Sequence, residues 1–485
     1  MKEFKHFING EYVASASGKT FENRSPVDNS LIGEVHEAGE AEVDAAVRAA
    51  KAALKGPWSK LTQKQRAAML NKIADRINER FDEFLDAECL DTGKPRSMAS
   101  HIDIPRGAAN FKEFAESMSH PTEGFRMETP DGKGAMNVGH RTPKGVVAVV
   151  SPWNLPLLLM TFKVGPALAC GNTVVVKPSE ETPATATLLG EVMNECGVPP
   201  GVFNVVHGFG PDSAGAFLTT HPLVDAITFT GETRTGEVIM KAASVGLRNV
   251  SMECGGKNPG IVFADCDLEK AVEGTMRSAF VNCGQVCLGT ERVYVERSIY
   301  DQFLARMKEE VAKLKLGRPE DPDANFGPLV SLEHRDKVKS YYDLAREEGA
   351  TVEIGGGIPD MGAELNEGAW IEPTIWTGLS DNARVIREEI FGPCCHIRPF
   401  DTEDEAISLA NDTKYGLACA IWTENSARAI RVAEQMEVGL AWVNSWFLRD
   451  LRTSFGGAKQ SGLGREGGVH GLEFYSETKN ICIKL

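Results

Sequence analysis

Gly145-Val146-Val147-Ala148-Val149-Val150 is a continuous apolar run, and three more follow it: Thr173-Val174-Val175-Val176, Val202-Phe203-Asn204-Val205-Val206 and Ala226-Ile227-Thr228-Phe229. Strands apolar on both sides belong in a sheet covered on both faces. The segments between them carry helix punctuation. In Thr182-Pro183-Ala184-Thr185-Ala186, Thr182 is expected to cap a helix whose first turn holds Pro183, and Gly197 is expected to end it ahead of Pro199-Pro200. Strand–helix alternation at this spacing predicts right-handed βαβ units and a mostly parallel, doubly wound sheet.

Upstream, residues 42–55 and 63–93 read as helices, with Ala68, Leu70, Ile73, Ile77 and Phe81 at three- and four-residue spacing. Downstream of Glu253 a second α/β series is expected. Its strands fall around 259–263, 291–296, 370–377, 391–400 and 417–423, and its helices around 267–280, 298–314, 332–348 and 402–411. One unit therefore ends near 255 and a second runs to about 445. The alternation of Ile481, Ile483 and Leu485 with Cys482 and Lys484 predicts a half-buried terminal strand that completes another sheet or a subunit interface.

Composition narrows the function. Of 485 residues, 42% are hydrophobic and 25% charged, which excludes a disordered chain, a coiled coil and a small disulfide scaffold. A net charge of −16 argues against nucleic-acid or anionic-membrane partners. The eleven cysteines have neither disulfide-framework nor zinc spacing, so no metal is expected. Met1-Lys2-Glu3-Phe4-Lys5-His6-Phe7 lacks a signal-type apolar region, and the apolar stretch 146–162 is too short and too Pro-broken to span a membrane. A reduced, cytoplasmic protein is expected.

Three residues stand out chemically. Cys287, in Asn282-Cys283-Gly284-Gln285-Val286-Cys287-Leu288-Gly289, is placed at the end of an amphipathic helix, where a lone cysteine is more often a buried hydrophobe. Gly284 and Gly289, however, would let backbone and substrate approach a thiol nucleophile. Cys283, one helical turn away on this reading, is either a support residue or a core thiol. Glu253 ends an apolar strand and is followed by Cys254-Gly255-Gly256-Lys257. In a partly dry cleft its pKa would rise, as suits a general base; the bland alternative is an ion pair with Lys257. Asn154, in Ser151-Pro152-Trp153-Asn154-Leu155-Pro156, is stiffened by two prolines and can donate to an oxyanion, or merely satisfy its own turn. Two glycine clusters, His207-Gly208-Phe209-Gly210-Pro211 and Thr230-Gly231-Glu232-Thr233-Arg234-Thr235-Gly236, follow strands and open helices, the setting in which backbone amides meet a pyrophosphate.

Taken together, Ser151-Pro152-Trp153-Asn154, Val176-Lys177-Pro178-Ser179-Glu180, Phe229-Thr230-Gly231, Met252-Glu253-Cys254-Gly255-Gly256-Lys257, Gly284-Gln285-Val286-Cys287 and Glu389-Ile390-Phe391-Gly392-Pro393 resemble the NAD(P)-dependent aldehyde dehydrogenase superfamily over essentially the whole chain. The resemblance implies two Rossmann-like α/β domains plus a small β oligomerisation element. Residues 1–116 and 143–255 would form the NAD-binding domain and 256–445 the catalytic domain. Residues 117–142 and 468–485 would form the oligomerisation element, and 446–467 a substrate-entrance loop and linker. It implies Cys287 as nucleophile, Glu253 as base and Asn154 as oxyanion donor. NAD would be held by Lys177 and Glu180 at the adenine ribose, by Trp153 and the Gly210 and Gly231 turns near the pyrophosphate, and by Glu389 and Phe391 at the nicotinamide half. Glu180 favours NAD over NADP. Cys254, where the family commonly has Leu, and Glu232, where it often has Ser, depart from the pattern.

Residues 444–457 and 101–107 are similar to the branch that oxidises muconic semialdehydes of aromatic meta-cleavage and related routes. The 2-hydroxy substrate is favoured and the 2-amino one stays open. Arg106, Arg449 and Arg452, in that branch's substrate tunnel, are candidates for its remote carboxylate, with Arg106 and Arg449 ranked first. A homodimer and a homotetramer are equally compatible.

Overall fold

The computed structural model describes residues 2–118 and 124–485; residues 1 and 119–123, the latter inside the segment expected to serve oligomerisation, lie outside the described residues. The apolar runs form β1 (Val146–Val150), β2 (Thr173–Lys177), β3 (Phe203–Val205) and β4 (Ala226–Thr230), joined by β5 (Asn249–Glu253). They pair in parallel in the order β5-β4-β1-β2-β3, with Ala148 flanked by Val175 and Ile227. Strand order reverses between β1 and β4, so the loops leaving those two strands open a crevice at their carboxyl ends. The site lies there. Antiparallel edges, Gly462–Leu463 on β5 and His6–Ile8 on β3, close the sheet.

The second series gives β6 (Asn258–Val262), β7 (Thr290–Glu296), β8 (Thr374–Thr377), β9 (Cys394–Phe400), β10 (Ala418–Trp422) and β11 (Leu440–Val443), parallel in the order β8-β9-β7-β6-β10-β11. β11 and the helix Ser426–Gln435 before it extend the expected series. β9 starts later than expected because Phe391 turns the chain with φ +61°.

Three local expectations need correction. The helix over 63–93 is two helices, Gln63–Glu79 and Phe81–Thr92, because the chain bends at Arg80, whose buried guanidinium pairs with Glu83, Glu191 and Glu195. Thr182 caps nothing. The helix Ala184–Cys196 begins after Pro183, and Asp91, from the helix Phe81–Thr92, accepts from Ala184 N at 2.8 Å instead. Gly197 does end that helix, at φ +80°. Finally, the terminal strand Ser476–Lys484 pairs antiparallel with Ala135–Pro143, beside Gly124–Met127, yet every residue after Ser476 is exposed within the single chain.

Candidate active site

A cleft of about 460 Å³, in the size range of small-molecule sites, runs across the carboxyl ends of both sheets. Trp153, Asn154, Glu180, Gly231, Cys287, Glu389 and Phe391 line it.

Cys287 does not sit on a helix. After the helix Leu268–Phe280 the chain tightens through Val281–Gly284, with Asn282, Cys283 and Gly284 all in left-handed conformation. A Cβ on Gly284 would lie 2.0 Å from Gly392 O, so only glycine allows this turn to press against the 389–393 segment. Cys283 is therefore no helical-turn neighbour: it is buried and its thiol donates to Gly327 O at 3.1 Å, a support for the turn. The Cys287 carbonyl accepts from Asn258 Nδ2 at 2.7 Å, which fixes the nucleophile's backbone. Burial pushes the Cys287 thiol up to about 12, with the Glu253 and Glu389 carboxylates adding to the effect.

Asn154 follows β1. Its Nδ2 donates to Gln285 O at 2.9 Å, which leaves the second amide proton free for a ligand. Its own carbonyl accepts from Lys94 Nζ and Asn282 Nδ2, each at 3.0 Å.

Glu253 ends β5, buried, with neither carboxylate oxygen hydrogen-bonded. Burial and the nearby Glu466 raise its pKa well above the ordinary value, against the pull of Lys163, Arg449 and Arg465. The pairing with Lys257 does not occur, because Lys257 pairs with Glu291. An unpartnered carboxylate of high proton affinity, with the next two residues lining the cleft, can take a proton from water.

At one end of the cleft Lys177 Nζ donates to Glu180 Oε2 at 2.9 Å. Burial opposes ionisation of Glu180, but the Lys177 ammonium prevails and holds it below the usual carboxylate range. At the other end Glu389 Oε1 accepts from Gly256 N at 2.8 Å, and burial, with Glu291, pushes Glu389 up to about 7. A Cβ on Gly255 would fall 2.0 Å from Glu389 Oε2, so the carboxylate lies directly on the backbone. Phe391 meets Trp153 edge-on at 5.3 Å, and its N–H donates to Glu291 Oε1 at 3.0 Å. Carboxylates suited to ribose hydroxyls at both ends, with aromatic walls between them, fit a dinucleotide. Gly231 sits on the turn after β4, its N–H donating to Glu253 O. Gly210, on the turn after β3, lies outside the cleft lining, with open space where a Cβ would be.

The structure brings two of the three candidate arginines to one place. Arg449 Nε and Nη2 and Arg106 Nε are buried without hydrogen-bond partners, and burial, then the charge of Arg106, lowers the Arg449 pKa. Arg106 stands on the first turn of the helix Asp103–Ser117, where Gly107 allows close contact with Leu157. Arg452 is instead exposed and paired with Asp450, so it does not join them. Reading the sequence missed Lys94, Asn258, Asn282 and Glu291. The sequence signal for Glu291 was a charge at the start of an expected buried strand, and Lys94, just past an expected helix, carried none.

Two doubly wound units meeting across a dinucleotide-sized cleft, with a thiol at the junction, define an oxidoreductase class. The chain belongs to it: the aldehyde dehydrogenase family model matches residues 12–481. Over the full length of both chains it is 70% identical to a 2-hydroxymuconic semialdehyde dehydrogenase of Pseudomonas sp. (strain CF600). It is 58% identical to a 2-aminomuconic 6-semialdehyde dehydrogenase of Pseudomonas sp., covering 100% of this chain and 99% of that one. Among solved structures, the NAD+ complex of an aldehyde dehydrogenase from Bacillus cereus superposes with a TM-score of 0.95 at 38% identity, covering 100% of this chain and 97% of that one.

Proposed function

We propose that this enzyme oxidises 2-hydroxymuconic semialdehyde to the dicarboxylic acid, with NAD as acceptor, in aromatic meta-cleavage catabolism. The observation that carries the substrate class is the Arg449 guanidinium, buried with two donors unpartnered beside Arg106, in a chain 70% identical to a relative named for that substrate. A desolvated guanidinium whose donors lack hydrogen-bond partners is costly, and a substrate carboxylate satisfies it. The 2-aminomuconic semialdehyde is the second reading, supported by the relative at 58% identity.

In the mechanism the Cys287 thiol gives up its proton to solvent and the thiolate sulfur adds to the aldehyde carbon. The oxyanion that forms accepts from the free Asn154 amide proton and the Cys287 backbone N–H. Bound NAD supplies the acceptor for the aldehyde hydrogen and its electron pair, and the acyl group is left on Cys287 as a thioester. Glu180, Trp153, Gly231, Glu389 and Phe391 would hold the cofactor in the cleft, with Lys177 behind Glu180. Glu253 then removes a proton from water as the water oxygen attacks the thioester carbon. The C–S bond breaks and the carboxylate leaves. Release of the acyl group to coenzyme A would need no such base, so the unpartnered Glu253 favours hydrolysis.

The free state of all eleven cysteines supports a reduced, cytoplasmic setting, and among the described residues no helix is long and apolar enough to cross a membrane. The exposed Ile481, Ile483 and Leu485 on the strand Ser476–Lys484 and its continuation support a homo-oligomer. NADH formation with each semialdehyde, with and without coenzyme A, tests the reading. Faster coenzyme-A-dependent turnover, or indifference to both semialdehydes, would sink it.

A further inference from the structure

Lys94 follows Gly93, which ends the helix Phe81–Thr92 at φ +67°. A Cβ on Gly93 would lie 2.6 Å from Pro328 and 2.9 Å from Pro26, so both conformation and space require glycine there. That turn sends the Lys94 side chain inward until it is 2% exposed. Its ammonium has three protons and three acceptors: Asp103 Oδ1 at 2.8 Å, the Asn154 carbonyl at 3.0 Å and Glu88 Oε1 at 3.5 Å. Each acceptor belongs to a different element. Asp103 is the first residue of the helix that bears Arg106 one turn later. Glu88, fully buried, also accepts from Leu157 N at 3.4 Å, at the start of the helix Pro156–Ala169.

Burial, with the nearby Asp103 carboxylate, pushes the Glu88 pKa well above the ordinary value, against the pull of the Lys94 ammonium. Asp103 Oδ2 is buried without a hydrogen-bond partner, so the Lys94 contact through Oδ1 is what holds this carboxylate. A buried ammonium needs a close acid partner, and Asp103 at 2.8 Å supplies it.

We propose that Lys94 is a positioning residue for the reaction: one buried ammonium sets both the Asn154 loop, which meets the aldehyde oxygen, and, through Asp103, the helix turn that carries Arg106 to the remote carboxylate. The distance between the two recognition points is thereby fixed by a group outside the cleft lining. This rests on the proposed roles of Asn154 and Arg106, and the test separates the two levels.

Lys94→Met removes the donor at similar bulk. Because small misplacements at the reacting centre are costly, kcat is expected to fall about ten- to hundredfold with both the semialdehyde and benzaldehyde. KM should rise only for the semialdehyde, and the Kd for NAD should stay as it was. In an Asn154→Ala background the same substitution should lower kcat less than about threefold, since residues acting as a unit are not additive. If Asn154→Ala alone leaves kcat intact, the oxyanion reading fails and the proposal with it. If Asn154→Ala is damaging but Lys94→Met costs as much with it as without it, the proposal alone is overturned. Should Lys94→Met not fold, Asp103→Asn keeps the volume and weakens the anchor. A several-fold loss of kcat, suppressed in the Asn154→Ala background, supports the proposal, and an unchanged kcat overturns it.

Discussion

The guanidinium carbon of Arg449 lies 4.0 Å from the centre of the Phe455 ring and 4.5 Å from that of Phe162, a stack that holds the cation in place without neutralising it. Its free nitrogens are thus available to a carboxylate. A charge-assisted contact of this kind contributes about 1.5–3 kcal/mol, or roughly ten- to hundredfold in kcat/KM. Arg449→Ala and Arg106→Ala should each lose about that factor with the semialdehyde and much less with benzaldehyde. Arg452→Ala, which breaks only the exposed pair with Asp450, should change little. Equal losses on charged and uncharged aldehydes would remove Arg106 and Arg449 from recognition.

Glu253 sets the pH dependence. It works as a base only when deprotonated, and burial places its pKa well above the ordinary carboxylate range. Thioester hydrolysis should therefore rise with pH along a limb centred well above that value, and fall away on the acid side. Single-turnover deacylation rates across pH check this. In Glu253→Gln the limb should vanish along with most of the steady-state rate. A limb centred in the ordinary carboxylate range, or one that survives the substitution, would exclude Glu253 as the group.

Cofactor choice should depend on Glu180, whose carboxylate is kept ionised by Lys177 at 2.9 Å. That charge can accept from ribose hydroxyls and repels a 2′-phosphate. NAD should be preferred over NADP, and Glu180→Gln should narrow the preference in kcat/KM. Equal use of both cofactors by the unmodified enzyme would count directly against this role.

What could be read in advance followed from local physics. The valine-rich runs dictated a covered parallel sheet, and the glycines after Glu253 and before Cys287 marked close approach. Long-range partners left no such mark. Thr182 has the side chain of a cap, yet Asp91, 93 residues before Ala184, takes that residue's N–H, because a buried carboxylate from a packed helix outcompetes the local hydroxyl. Apolar spacing runs on through Arg80, so only the acids on a neighbouring helix reveal the bend. Cys283, spaced one turn from Cys287, reads as helical, yet it and Asn282 are left-handed, held by contacts to Gly327 O and Asn154 O from distant segments. Lys94 and Glu291 hold the site through contacts made only after the sheets assemble.

The central claim is that Cys287 carries the acyl group and Glu253 releases it. Intact-mass measurement of Glu253→Gln, quenched after mixing with NAD and 2-hydroxymuconic semialdehyde, tests it most directly. The account predicts one NADH per active site in a burst, with one acyl adduct that peptide mapping places on Cys287 and that is absent in Cys287→Ala. A burst without an adduct, an adduct on Cys254 or Cys283, or undiminished steady turnover by Glu253→Gln would contradict it.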